Sequence, residues 1–162
     1  MNVIEINFIC NILDPIKASY STFGNIPYGF YLTGRIYYDL ENKEEDYACR
    51  PLKGINIQPD DNLDRSPIVL VDRGKCTYVT KTRNVQNTGG HLALIINNVP
   101  GSIENTLMND DGTGSDLIIP AVLISKEDGE KIKKFLMENK EDNSVLSNVL
   151  VSVEFLIVFL IS

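Results

Sequence analysis

The chain's softest metal ligands and readiest nucleophiles are three cysteines, Cys10, Cys49 and Cys76, and one histidine, His91. No Cys-x-x-Cys pair and no Cys/His cluster occurs, so a structural zinc site lacks ligands at usable spacing. General-base work by His91 would need a Ser, Cys or Thr beside it in space, and neither Gly-x-Ser-x-Gly nor His-Glu-x-x-His is present. His91 follows Gly90 and opens an apolar run, so it reads as a strand-edge residue. The acidic stretch from Asn109 through Asp110, Asp111, Gly112 and Gly114 to Asp116 invites a calcium reading. With Gly114 at the sixth position of an EF-hand loop, the twelfth is Pro120 rather than a bidentate Glu, so turn chemistry is the default and no metal is expected. Gly112 and Gly114 are too isolated to make a phosphate loop. Other carboxylates crowd into loops with no sign of burial, which leaves paired acid–base work unsupported. Arg73 carries a planar fork of hydrogen-bond donors, and Gly74 beside it can hold backbone conformations and close approaches that other residues cannot. One reading has Arg73 paired with an acid such as Asp72 or one of the 110s loop.

Composition narrows the partners. At 162 residues and 43% hydrophobic, the chain suits one globular domain with a real core. Its net charge of -7 argues against nucleic acid, which needs a face rich in Lys and Arg. An acidic surface would suit partners carrying basic groups, but most such charge simply faces water.

The element that positions Arg73 and Gly74 is a buried strand. Ile68 to Val71 is an uninterrupted β-branched and aliphatic run. It stops at the polar turn Asp72 to Cys76. A helix-compatible segment, Tyr78 to Thr88, follows and ends at Gly89 and Gly90. Leu92 to Ile96 reads as a second buried strand, closed by Asn97 and Asn98. Strand, loop, helix and strand in this order predict a right-handed crossover with the two strands parallel. Elsewhere, Ile4 to Leu13 suggests a first strand broken at Asp14 and Pro15. Phe23 and Tyr28 are core anchors in a loop. Gly29 to Tyr38 reads as a strand with Gly34 as a bulge. Asp39 to Asp46 is a solvated acidic loop, and Lys53 to Ser66 an irregular excursion. Pro100 to Asp116 reads as a long loop. Ser125 caps a helix with Asp128 three residues on, and Ile132, Phe135 and Leu136 form its apolar stripe. Gly129 costs that helix about 1 kcal/mol against Ala. Asn139 to Asn148 is polar linker, and Val149 to Phe155 a closing strand.

Several of these features fall in one register: the strand Ile68 to Val71, Arg73-Gly74-Lys75-Cys76, the early helix residue Lys81, Gly89-Gly90, and Leu94 to Asn97. In that order they resemble the protease-associated (PA) domain. Ala48-Cys49 with Pro51 upstream, the run Leu117 to Ser125 and the helix start Lys126 to Glu130 agree. Tyr20 to Tyr37, with Phe23-Gly24, Pro27 and Thr33-Gly34, looks most like the PA domain of plant vacuolar sorting receptors. The resemblance implies an α/β (α+β) fold: a mixed open β-barrel or sandwich of about six to seven strands flanked by two main helices. It assigns 18–155 to the domain, 1–17 to an N-terminal segment and 156–162 to an apolar stub. That stub is far short of the ~20 residues a membrane span needs. It reads as part of a missing transmembrane segment, a frame artefact or a strand running on. Residues 1–13 make a poor signal peptide, with no Lys or Arg at the start.

The resemblance also implies a site. Cys49 and Cys76 pair as a disulfide in many such domains; this would place the chain in an oxidising lumen or outside the cell and contribute about 3 kcal/mol. The alternative is two free thiols in a cytosolic fold, and Cys10 is unexplained in either case. In vacuolar sorting receptors the Arg-Gly-x-Cys loop helps hold the sorting peptide of a cargo. Carried over, the ligand-binding residues are Arg73, Gly74 and Lys75, with Asp110, Asp111 and Asp116 as secondary candidates; Lys81 is a helix-surface or loop-bracing residue. Lys75 departs from the acidic residue often found there, which reverses the local charge. The implied function is a non-catalytic luminal module, without cofactor, that binds protein or peptide cargo in endomembrane sorting. It would meet a membrane only through a missing segment. The alternatives are the PA segment of a membrane RING ubiquitin ligase, an accessory domain of a peptidase, and a free-standing secreted domain.

Overall fold

A computed structural model describes residues 3–8, 13–39, 47–55, 57, 66–141 and 150–155. The strands are β1 (Val3–Phe8), β2 (Ile16–Tyr20), β3 (Tyr31–Tyr37), β4 (Ser66–Asp72), β5 (Leu92–Ile96), β6 (Ala121–Ile124) and β7 (Leu150–Glu154). Two helices, α1 (Tyr78–Asn87) and α2 (Lys126–Glu138), follow β4 and β6. Cys10, the acidic loop 40–46, residues 58–65, the linker 142–148 and the stub 156–162 lie outside the described residues.

The strands close into a barrel in the order β1-β2-β6-β5-β4-β3-β7, with β7 returning to β1 through Ile6↔Val153 and Phe8↔Val151. The expected class is right, but the barrel is closed rather than open. β1 is the strand that removes the edge. It shields what would otherwise be exposed backbone donors and acceptors of β2 and β7. The boundary expected at residue 18 falls inside β2, and β1 ahead of it is a barrel strand.

β3, β4, β5 and β6 run parallel to one another. Their apolar runs alternate between two cores. Ile68, Leu70, Leu92, Leu94, Ile96, Val122 and Ile124 face inward and meet Ile4, Ile6, Val151 and Val153 across the barrel. Val69, Val71, Ala93, Ile95, Ala121 and Leu123 face outward beneath Val79 and Val85 of α1. Burial on both faces is why these strands read as continuous hydrophobic runs.

Local signals explain most boundaries. Thr77 caps α1 by accepting the Thr80 N–H at 3.1 Å, and Ser125 caps α2 by accepting that of Asp128 at 3.0 Å. Gly34 is not a bulge: the register is continuous through Gly34↔Ser66 and Gly34↔Val151. A Cβ there would lie 1.6 Å from the Ser66 carbonyl oxygen, so glycine answers a close approach of β3 to β4. Phe23 is buried, but Tyr28 is 48% exposed, held edge-on to Tyr20 with ring centroids 5.5 Å apart.

Candidate functional site

Parallel strands leave their C-terminal ends, and the loops that follow, at one end of a sheet. Asp72 pairs with Ile96, and Ile96 with Ile124. The ladder runs one step further through Arg73 N–H to the Ile96 carbonyl at 2.9 Å and Asn97 N–H to that of Ile124 at 3.0 Å. The turn 73–77 and the residues Asn97 and Asn98 therefore share one edge of the barrel.

The turn is tight. Cys76 N–H returns to the Gly74 carbonyl at 2.8 Å, with Gly74 at φ +128° and Lys75 at φ +63°. Ala48 also has positive φ, at +49°. Lys75 and Ala48 are the residues immediately before Cys76 and Cys49, so two uncommon backbone conformations flank one cross-link. That cross-link is the expected disulfide, with Cα atoms 5.7 Å apart.

Beneath the turn lies Lys81, fully buried. Its Nζ donates to the carbonyls of Tyr47 at 2.6 Å and Gly74 at 2.7 Å, and sits 3.7 Å from the Cys49 sulfur. One turn on, Asn84 Nδ2 donates to the Ala48 carbonyl at 2.9 Å. One face of α1 thus grips both cross-linked loops. Burial lowers the Lys81 pKa to about 8, against a smaller upward pull from Asp72 and a smaller downward push from Lys75. Of the two readings of Lys81, loop-bracing is correct and helix-surface is not.

Arg73 does not pair with an acid among the described residues. Its Nη1 donates to Asn97 Oδ1 at 2.7 Å, and its guanidinium carbon stands 5.6 Å from the centre of the Tyr78 ring. Asp72 is taken by Lys133, whose Nζ reaches both carboxylate oxygens at 2.7 and 2.8 Å. Lys75 is exposed and lies over Tyr47, 4.3 Å from the ring centre. A Cβ on Gly74 would come within 3.3 Å of Tyr47 and 3.7 Å of Asn98 Nδ2, so glycine keeps this surface low.

The three secondary candidates are already engaged, by their own loop or by α1 and its cap. Asp110 accepts the N–H groups of Gly112 at 2.9 Å and Gly114 at 3.0 Å. Asp111 accepts from Thr113, and from Thr77 Oγ1 at 2.6 Å; those hydroxyl bonds hold its pKa below the usual carboxylate value. Asp116 is lowered by its bond to Arg83, at 2.7 Å. The Thr77–Asp111 contact brings the acidic loop against the turn, but as a strut rather than as free acceptors. Among the described residues no group of three His, Cys, Asp or Glu side chains is placed to hold a metal ion. Sequence reasoning missed Tyr47, Tyr78 and Asn98, which carry no spacing signal. The capping role of Thr77, just ahead of the helix, was readable.

His91 stands at the other end of β5, exposed, with Nδ1 3.2 Å from Ser66 Oγ. A hydroxyl is thus beside it after all, but among the described residues no carboxylate orients the ring. No helix among the described residues is long and apolar enough to cross a membrane.

The PA domain family model matches residues 32–132. The chain is 28% identical to Vacuolar-sorting receptor 3 of Arabidopsis thaliana over 123 residues, 72% of this chain and 19% of the receptor. It is 35% identical to Receptor homology region, transmembrane domain- and RING domain-containing protein 3 of the same plant over 88 residues, 54% of this chain and 20% of that protein. It therefore spans about a fifth of the length of each of these relatives. In fold it is similar to an aminopeptidase from Aneurinibacillus sp. strain AM-1, with a TM-score of 0.56 at 19% identity, over 94% of this chain and 29% of that one. With the crossover unit, the Arg-Gly-x-Cys turn and the disulfide in the family's register, the chain belongs to the PA domain family.

Proposed function

We propose that this domain is a non-catalytic module that binds an extended stretch of protein or peptide cargo at the turn 73–77, in endomembrane sorting. The carrying observation is Arg73: its Nη1 is anchored on Asn97, while Nε and Nη2 meet no acceptor among the described residues. A guanidinium fixed at one corner and open at the others is prepared for a backbone carbonyl or carboxylate. The disulfide and Lys81 hold the turn's shape beforehand, which lowers the ordering cost of binding. Similarity to a vacuolar-sorting receptor supports cargo as the ligand class. The disulfide fits an oxidising lumen of the secretory route, or the cell exterior. The higher local identity to the RING domain-containing relative supports a second reading, in which the same turn recruits substrate to a ligase.

Binding of cargo peptides to wild type and Arg73→Ala tests the site. Loss of a charged donor contributes about 1.5–3 kcal/mol, so at least tenfold weakening is expected. Equal affinities would remove Arg73 from the site.

A further inference from the structure

The aromatic side chains that the core leaves out gather at one end of the barrel. β3 begins at Tyr31, in register with Glu154, the last residue of β7. Gly29 N–H donates to the Phe155 carbonyl at 2.8 Å, and Phe155 N–H to that of Phe30 at 3.0 Å. Tyr20 ends β2, and its ring meets that of Tyr28. Tyr28, Phe30 and Tyr31 therefore sit where the chain leaves β7. β3 and β4 are parallel, and the turn 73–77 follows the last residue of β4. The start of β3 and that turn thus stand at opposite ends of the barrel.

Phe30 is 70% and Tyr31 73% exposed, with Tyr28 half exposed beside them. Single exposed apolar residues are ordinary, but three aromatic ones together call for a partner. They offer on the order of 400 Å², about half of what each side of a stable protein interface buries. Barrel closure leaves no strand edge among the described strands for a second copy to extend. A lipid surface needs neither a large area nor a free edge. Tyrosine, with an apolar ring and a polar tip, suits the headgroup boundary, and phenylalanine the layer beneath it. The sequence running on from Phe155 is Leu-Ile-Val-Phe-Leu-Ile, apolar throughout, so one apolar phase suits both. Glu154 is exposed at this end and the chain carries -7, so anionic headgroups are not the attraction.

We propose that this end of the barrel is a membrane-contacting face, on which Tyr28, Phe30 and Tyr31 enter the interfacial layer of a neutral, zwitterionic bilayer. Contact there holds the turn 73–77 on the far side of the domain, facing water.

The chain has no tryptophan, so Phe30→Trp and Val99→Trp each carry a single reporter, the second beside Asn98 at the turn's end of the barrel. Vesicles of phosphatidylcholine should shift the Phe30→Trp emission to the blue, and bromination of their acyl chains should quench it. Val99→Trp should change little. Co-flotation of the full wild-type chain with the same vesicles reads the affinity, and Phe30→Ser/Tyr31→Ser should weaken it at least tenfold. Added phosphatidylserine or salt should leave wild-type binding level, as an apolar contact requires. Equal flotation of wild type and the double variant, with Phe30→Trp unquenched, would place binding in the apolar sequence beyond Phe155 or elsewhere and overturn the face. Equal quenching of both reporters would overturn it as well. Binding only to vesicles that contain phosphatidylserine would overturn the neutral surface. Failure of wild type to float would overturn the membrane contact, and a lipid-free dimer that Phe30→Ser/Tyr31→Ser dissociates in analytical ultracentrifugation would assign the face to a second copy instead.

Discussion

The ammonium of Lys81 lies 2.7 Å from the carbonyl oxygen of Gly74 and is shut off from water by the chain around it. A buried cation held by carbonyl dipoles is stabilised far less than one held by a carboxylate. The domain tolerates that cost where the first helix meets the turn proposed to bind ligand.

That cost is measurable. An unfolded lysine titrates near 10.5, and Lys81 in the folded chain at about 8. Between those values the unfolded chain binds the extra proton, so this group adds stability as pH rises. Between pH 7 and 9.5 the gain should reach about 2 kcal/mol, at about 1.4 kcal/mol per pH unit beyond the folded pKa. Urea unfolding of wild type and Lys81→Met across that range reads it as a difference that moves in favour of wild type. A flat difference would mean that the ammonium is not desolvated.

The disulfide Cys49–Cys76 closes a loop with a sequence separation of 27. Its loss in Cys49→Ser/Cys76→Ser should cost about 3 kcal/mol by the chain-entropy estimate. Because the turn also loses its staple, peptide affinity should fall even where the fold survives. Thiol titration of non-reduced, denatured protein should find one free thiol, that of Cys10. Three would show that the pair is not formed.

Gly129 sets two effects against each other. In an exposed helix, Gly→Ala gains about 1 kcal/mol. Here an added Cβ would sit 2.2 Å from Ile96 Cγ2, where α2 packs on β5. Overpacking costs about 1–3 kcal/mol, so it outweighs propensity and Gly129→Ala should destabilise. An unchanged or raised denaturation midpoint would show that the helix can shift away.

The unit β4–α1–β5 was legible because each strand is a short apolar run between turn residues and the Gly89-Gly90 stop has local causes. The pairing of Cys49 with Cys76 followed from the family resemblance, not from their spacing. Barrel closure was not legible: β1 and β7 lie at opposite ends of the chain, and nothing local marks Phe8 as the partner of Val151. Lys81 was left between helix surface and loop brace, because lysine is usually exposed. Its burial arises from two carbonyls, Tyr47 and Gly74, brought together only by the fold. Tyr28 misled in the opposite sense, as an aromatic residue left half in water beside Tyr20. Gly129 read as a flaw in a helix until the contact with Ile96 supplied its reason.

The most direct measurement is amide chemical-shift mapping of the ¹⁵N-labelled domain titrated with a cargo peptide. The largest changes should fall at Arg73 to Thr77, Asn97 and Asn98, with Tyr47 following through Lys81. Changes centred instead on the exposed aromatics Phe30 and Tyr31, with the turn unmoved, would contradict that placement.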